Sequence, residues 1–459
     1  MFNRPYYLYL GVWVAILLIC GCGSVTNSIN PAPTNPFSVV VFSDIHFNPF
    51  YDPTLFPRLV ASDASEWAGI FKTSKTTAPS AWASDSNYPL LVLALSSLKQ
   101  NSAGTPFILC TGDLIGHNIP KLFFQYYGSQ DVAAMKSFTD KTEAFVAGQV
   151  RASVGNIPVL FAIGNIDSYT GDGPDSTFLA NNADLFYSQF VNGTVDHQTF
   201  LKSFTSGGYY SAELFGEKLV VIGLNTVPFS PLVPGDNDLA VNTQLAWLDS
   251  ILASAQAGGQ KVWLLMHVPP GADTFTTAQK NLDQYGHLAT ASMMWGPDYQ
   301  AHFLQILSHY PGLVTLTLGA HTHMDEYRIL SSNNVLDEVP AISPVFGNDP
   351  AFKVFTFAQD TLTPTNYRSL HYDPATLPAQ FSAYYDFSAA YSMPGPLNSS
   401  LAQLYPALLT NRAQQTLYRS MYESGNQAAS PINDANWQVF ACAVGNIAQQ
   451  DLIDCVNSY

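Results

Sequence analysis

Short apolar runs recur along the chain, each five or six residues long. They occupy 38–42 (SVVVF), 106–110, 158–162, 209–214, 219–224, 262–266 and 314–318. Near-continuous Val, Ile, Leu and Phe bounded by polar or glycine residues is the pattern of strands buried on both faces. Between the runs, 89–99, 131–149, 242–257 and 299–308 space their apolar residues three and four apart, as one face of a helix does. Strands alternating with helices predict an α/β fold. Beyond about Phe357 the pattern changes, and 375–459 is rich in Ala, Gln, Leu and Tyr at helical spacing. The expected organisation is a signal segment over 1–22, a tether over 23–36, a catalytic α/β domain over 37–360 and a mainly helical region over 361–459. No internal repeat or low-complexity tract interrupts it.

The N-terminus reads as an export segment. One positive charge in the first four residues precedes an uncharged apolar and aromatic stretch, 5–19, and then Ile19-Cys20-Gly21-Cys22. A branched aliphatic at −3 and Gly at −1 before Cys22 resembles a lipobox, although cysteine at −2 is unusual there. The readings are a lipoprotein anchored at Cys22, a cleaved secretory signal, or an uncleaved anchor. Each predicts an exported protein, either membrane-anchored or secreted to the periplasm or medium. Residues 23–36 (GSVTNSINPAPTNP) have the composition of a flexible linker. Cys442 and Cys455 stand close together in an otherwise cysteine-free C-terminal region, either as a disulfide in an oxidising compartment or as two thiols. Cys110 ends an apolar run and reads as a small buried residue.

Composition narrows the function classes. With 459 residues, 47% of them hydrophobic, the chain can bury a large core. Only 11% of residues are charged, 18 basic against 34 acidic, for a net charge of −16. No cluster of Lys and Arg occurs, which excludes a nucleic-acid scaffold protein. A phosphate-bearing substrate would need neutralisation from something other than side-chain cations.

The residues that follow the apolar runs supply a candidate. After 38–42 come Asp44 and His46, after 106–110 come Gly112-Asp113 and His117, and after 158–162 come Gly164-Asn165. His267 follows 262–266, and His321-Thr322-His323 follows 314–318. Polar residues at strand C-termini are where α/β sheets build sites. Asp, Asn and His are ligands for Zn, Mn or Fe. In extended backbone the period-2 pairs Asp44/His46 and His321/His323 would each point to one side and reach one cluster. Five of the ten histidines fall in these blocks. A single such histidine is usually a hydrogen-bonded core or loop residue, but five independent blocks are not explained that way.

The order D-x-H, G-D, G-N, a lone H and H-x-H resembles the calcineurin-like metallophosphoesterases. Gly112–His117 (G-D-x-x-x-H), QLAWLDSIL leading into KVWLLMHVPPG, HTHMDEYRI and SPVFGNDPAFKVF more closely resemble acid sphingomyelinase and its phosphodiesterase relatives. The resemblance runs from about Ser38 to Phe357 and continues weakly to the C-terminus. It implies a four-layer αββα sandwich of two mixed sheets. It also implies a first metal on Asp44, His46, Asp113 and His323, and a second, bridged by Asp113, on Asn165, His267 and His321. Zn is the first choice for both ions, with Mn or Fe as alternatives, and His117 is the implied proton donor. A disulfide with twelve intervening residues, as between Cys442 and Cys455, is a further implication.

The chain departs from the pattern at Ile166, where the family normally has His beside the metal-binding Asn, and at Ala320, where many members have Gly. It also lacks a saposin-like cysteine-rich region and any cysteine in 47–88. The implied function is a two-metal phosphodiesterase acting on a sphingomyelin-like lipid or a nucleotide-type small molecule. The alternatives are a phosphomonoesterase or nucleotidase on the same centre, and a metal-holding binding protein that has lost turnover through Ile166. The aromatic segments 47–56 and 123–127 would either line the mouth of the site or pack as ordinary loops.

Overall fold

The computed structural model describes residues 36–191, 193–332 and 334–459. The predicted signal segment and all of the tether except Pro36 lie outside them. The strands among the described residues are β1 (Phe37–Phe42), β2 (Ile108–Cys110), β3 (Val159–Phe161), β4 (Tyr210–Leu214), β5 (Leu219–Gly223) and β6 (Lys261–Leu265). They continue with β7 (Val314–Gly319), β8 (Tyr327–Ser331), β9 (Asn334–Glu338), β10 (Ala351–Ala358), β11 (Thr363–His371) and β12 (Ser382–Asp386). Two six-stranded mixed sheets result, ordered β12-β11-β10-β1-β2-β3 and β4-β5-β6-β7-β9-β8. Strands β1, β2 and β3 run parallel, as do β5, β6, β7 and β9.

The apolar runs are explained by two separate cores. Along β5 and β6, Leu219, Val221, Trp263 and Leu265 face the core shared with the first sheet. Their alternates Val220, Ile222, Val262 and Leu264 face a second core under helices Asp238–Ala257 and Pro297–His309. Both sides of the strand are covered, so period-2 polarity disappears. At the centre, the Trp263 indole stacks on Phe357 of β10 with ring centroids 4.2 Å apart, and its Nε1 donates to the Leu362 carbonyl at 2.9 Å. The first sheet's core takes in helices Tyr88–Asn101 and Val132–Val154. These helices start where side chains cap them: Asn87 accepts from Leu90 N at 3.0 Å, and Asp131 from Ala134 N at 3.0 Å. The architecture is an α/β sandwich of two mixed sheets flanked by helices.

Past β10, β11 and β12 extend the first sheet, and a set of helices follows. The last two, Trp437–Gly445 and Gln449–Asn457, are joined by a Cys442–Cys455 disulfide, and Cys442 is fully buried. Closing a loop of 13 residues restricts the unfolded chain by about 3 kcal/mol. The double variant Cys442→Ser/Cys455→Ser should therefore lose about that much stability in non-reducing urea unfolding. An unchanged midpoint would show that packing alone holds these helices.

Candidate metal centre

Every predicted donor follows the C-terminal end of a parallel strand. Asp44 and His46 follow β1, Asp113 follows β2, Asn165 follows β3, His267 follows β6, and His321 and His323 follow β7. The first three strands belong to one sheet and the last two to the other, so the donors meet where the sheet ends converge. The extended backbone expected for the two period-2 pairs is not what occurs. Asp44, His46, Asp113, His321 and His323 all have left-handed φ, from 44° to 74°. Such residues cost on the order of 1–3 kcal/mol each and persist where the surroundings over-determine them. Asp44 N donates to Gly112 O at 3.0 Å and His46 N to Asp113 O at 3.1 Å, so the two loops hold each other in this form. Consequently Asp44 and His46 reach one cluster, whereas His321 and His323 separate into two.

Glycine is required at two points. A Cβ on Gly112 would lie 2.7 Å from Gly164 N, and a Cβ on Gly164 would lie 2.0 Å from Asp113 Oδ1. Only bare backbone lets the loops after β2 and β3 approach closely enough to bring Asp113 and Asn165 together.

The first cluster is Asp44, His46 and His323, the second is Asp113, His267 and His321, and a third group joins His46 to Asp85 and His117. In the first, His46 Nδ1 donates to Ile115 O at 3.2 Å, which turns Nε2 toward the cluster. That nitrogen faces His323 Nε2 at 3.0 Å and Asp44 Oδ1 at 3.4 Å. Neither carboxylate oxygen of Asp44, fully buried, makes a hydrogen bond. In the second, His267 Nδ1 donates to Thr111 O at 2.7 Å. Its Nε2 faces Asp113 Oδ2 at 3.1 Å and Asn165 Oδ1 at 3.0 Å. Asp113 Oδ2 is also 3.5 Å from His46 Nε2, so one carboxylate oxygen faces both clusters. Two buried carboxylates and four imidazoles converging this closely need compensating positive charge, which either protons on the imidazoles or bound cations can supply. This donor set fits two divalent ions.

Burial opposes protonation of His46, but the Asp44 and Asp113 carboxylates outweigh it and hold the imidazole at about 9. His267 is held at about 9 in the same way, chiefly by Asp113. His321 is driven down to about 3 by burial and by the neighbouring His267. Without ions, two protonated imidazoles thus balance the two carboxylates.

The surroundings contain groups that sequence reasoning missed. Asp85 accepts from both the backbone N and the ring Nδ1 of His117, each at 2.8 Å. The His117 ring stacks on His46 with centroids 4.1 Å apart, outside the first two clusters. Asp85 lies in an irregular stretch, and no motif marks it. Asp167 is equally silent in sequence, and adjacency makes it look like a partner for a side chain at 166. Instead it accepts from the backbone N of Asp113 at 3.0 Å, Leu114 at 2.7 Å and Gly164 at 3.0 Å. It is a buried stitch between the two loops, turned toward their backbone amides. Ile166 is half-buried, packs on the core and donates its N–H to Asp113 Oδ1 at 2.8 Å.

A cavity of about 320 Å³ opens beside Asp113, Asn165, His321 and His323. Its other walls include Phe275, Met294, Met324, Phe346 and Tyr422. Phe346, 57% exposed, sets its edge against His323 at 4.5 Å and His117 at 5.8 Å. The aromatic segments 47–56 and 123–127 are not at this mouth. Phe47, Phe50, Phe56 and Phe123 are buried and pack with Phe138 and Phe145. They are the ordinary loop packing of the two readings.

A sandwich of two mixed sheets whose converging strand ends carry Asp, Asn and His donors defines the class of metal-dependent phosphoesterases. The calcineurin-like phosphoesterase family matches residues 37–325, and the chain belongs to that family, whose members use a two-metal centre. A cyclic GMP-AMP phosphodiesterase of Mus musculus is 24% identical over 484 aligned positions, spanning 98% of this chain and 99% of its own. Sphingomyelin phosphodiesterase A of Dictyostelium discoideum is 22% identical, spanning 91% and 67% respectively. Sphingomyelinase phosphodiesterase D of the same organism is 25% identical, spanning 60% of this chain and 57% of that one.

Proposed function

We propose that the chain is an exported phosphodiesterase. In this reading Asp44, His46, Asp113 and His323 hold one divalent ion, and Asp113, Asn165, His267 and His321 hold the other. The observation that carries it is Asp113 Oδ2, 3.5 Å from His46 Nε2 and 3.1 Å from His267 Nε2. Two such ions about 3.5–4 Å apart neutralise a phosphoryl group and make water nucleophilic at neutral pH. That answers the shortage of side-chain cations in a chain of charge −16.

The protein's own groups do the rest. Asp85 accepts a hydrogen bond from His117 Nδ1 and so leaves Nε2 to give a proton to a leaving oxygen. The cavity receives a group esterified to the phosphate. Its Phe, Met and Tyr walls suit an apolar or aromatic group, which both a nucleoside and a lipid supply. The relatives' names support a diester, of sphingomyelin type or nucleotide type. The disulfide and the apolar N-terminal segment support export, with Cys22 as the lipid-anchored residue. Mass spectrometry of the mature N-terminus checks that point, and an intact Met1 would refute cleavage.

The test of function is a pair of substrates on protein reconstituted with Zn, Mn or Fe. Bis-p-nitrophenyl phosphate should be hydrolysed in preference to p-nitrophenyl phosphate. The reverse preference would make the chain a phosphomonoesterase, and no turnover with two ions bound would make it a binding protein. Phe346→Ala should raise KM for the diester about 5–10-fold with kcat little changed, since it removes roughly 1 kcal/mol of apolar contact. A fall in kcat alone would place Phe346 outside the binding wall.

Proton competition gives a further check. Ligation needs neutral imidazoles, and His46 and His267 carry protons below about 9. Metal affinity should therefore rise with pH up to about 9 and level off above it. A chelator-competition series across pH reads this directly. A flat profile would exclude these histidines as ligands.

A further inference from the structure

Behind the loops carrying His267, His321 and His323 lies a buried charged network that the proposed chemistry does not use. Arg328 of β8 is 1% exposed, and Glu338 of β9 and Lys353 of β10 are fully buried. Arg328 Nη1 donates to Pro270 O at 3.0 Å and to Ala272 O at 2.8 Å, both in the loop that follows His267. Its Nε donates to Glu338 Oε1, and Glu338 Oε2 accepts from Thr322 Oγ1 at 2.9 Å. Thr322 is the residue between His321 and His323. One guanidinium and one carboxylate therefore connect the two histidine-bearing loops. Lys353 anchors the pair to the other sheet, donating to Glu338 O at 2.9 Å and to Asp337 Oδ1 at 2.5 Å.

Stability does not explain this arrangement. Buried ion pairs are often no better than apolar side chains of similar volume, because desolvation offsets the attraction. An apolar pair would fill the space, but it could not hold two carbonyls and a hydroxyl at fixed positions. The loop is shaped to the guanidinium: Gly271, at φ 102°, would put a Cβ 2.6 Å from Arg328 Nη1. Only a planar fork of donors reaches both carbonyls and the carboxylate together.

We propose that Arg328 and Glu338 are positioning residues that set the spacing of the His267 and His321–His323 loops, and thereby the affinity of the second ion. The inference rests on the ligand assignment made above. The second ion is the sensitive one, because His267 and His321 both lie on the braced loops. Only His323 of the first group does.

The experiment uses the full chain and Zn²⁺ alone, titrated against a chelator so that two dissociation steps are resolved. His46→Ala and Asn165→Ala assign the steps to the two positions. Thr322→Val removes only the hydroxyl that Glu338 holds. The double variant Arg328→Met/Glu338→Leu replaces the pair by apolar groups, and it also takes from Glu326 the guanidinium whose Nη2 lies 3.8 Å from its Oε1. Both should weaken the second ion about 10–100-fold, the range for a residue that orients a ligand, and the first ion less than about threefold. Unchanged affinities, or equal weakening of both ions, would overturn the proposal. If the double variant fails to fold, Thr322→Val decides alone. Wild-type protein that binds no Zn²⁺ would refute the ligand assignment instead.

Discussion

Asp113→Ala should release most of the bound metal and lower diester turnover by more than about 10³-fold, a loss above about 4 kcal/mol in transition-state stabilisation. Its Oδ2 faces both His46 and His267, so both clusters lose a donor at once. They do not lose equally. The first group keeps the carboxylate of Asp44, while the second is left with Asn165, His267 and His321, none of which is anionic. The second ion should therefore go first and the first ion should be held weakly. Asp113→Asn separates shape from charge. It can still accept the Ile166 N–H that Oδ1 accepts at 2.8 Å, so the loop after β3 stays in place. It should nevertheless lose the second ion. Elemental analysis after reconstitution is the measurement, with about two ions per wild-type chain. Two ions retained in Asp113→Ala would remove the shared-carboxylate arrangement altogether.

The candidate donors stand out in the sequence because each follows an apolar run, and the runs are apolar because both strand faces are covered. That signal fails where buried charge replaces apolar packing. Strands β8, β9 and β10 carry Arg328, Asp337, Glu338 and Lys353, all buried, so the pattern of the first two looks like surface. Hydrophobic periodicity marks β10, which keeps Phe352, Val354, Phe355 and Phe357 around its lysine, but not β8 and β9. Strands β11 and β12 carry polar residues because they lie at one edge of the first sheet. The mouth of the site was hidden for a different reason. Phe275, Phe346 and Tyr422 come from three distant segments, and only the fold unites them. The phenylalanines Phe47, Phe50, Phe56 and Phe123 of the conspicuous aromatic runs turned inward, since a dense cluster of Phe buries itself, while Tyr51, Tyr126 and Tyr127 stay exposed. The left-handed turns at Asp44 and His46 carry no glycine to announce them. They are imposed by hydrogen bonds to the loop after β2.

His117→Ala should cost about 10²–10⁴-fold on a diester with an alkyl leaving group and far less on a p-nitrophenyl ester. An alkoxide must receive a proton as it departs, whereas p-nitrophenolate leaves without one. His117 is suited to the task because Asp85 accepts its Nδ1 proton at 2.8 Å, its ring is stacked on His46, and its side chain is 25% exposed beside the cavity. Asp85→Asn should therefore reproduce part of the defect with the same leaving-group dependence, by releasing the ring orientation while leaving metal content unchanged. Ile166 contributes no second acid, and restoring one is harder than the sequence suggests. Asp167 is buried and already accepts three backbone amides, so an imidazole in Ile166→His would have to compete with them for its carboxylate. That variant should raise kcat on poor leaving groups only weakly, even though Ile166 N–H keeps its bond to Asp113 whatever the side chain. Equal losses for His117→Ala on both classes of leaving group would show that His117 binds the phosphoryl oxygen or supports the loop. The proton would then have to come from water.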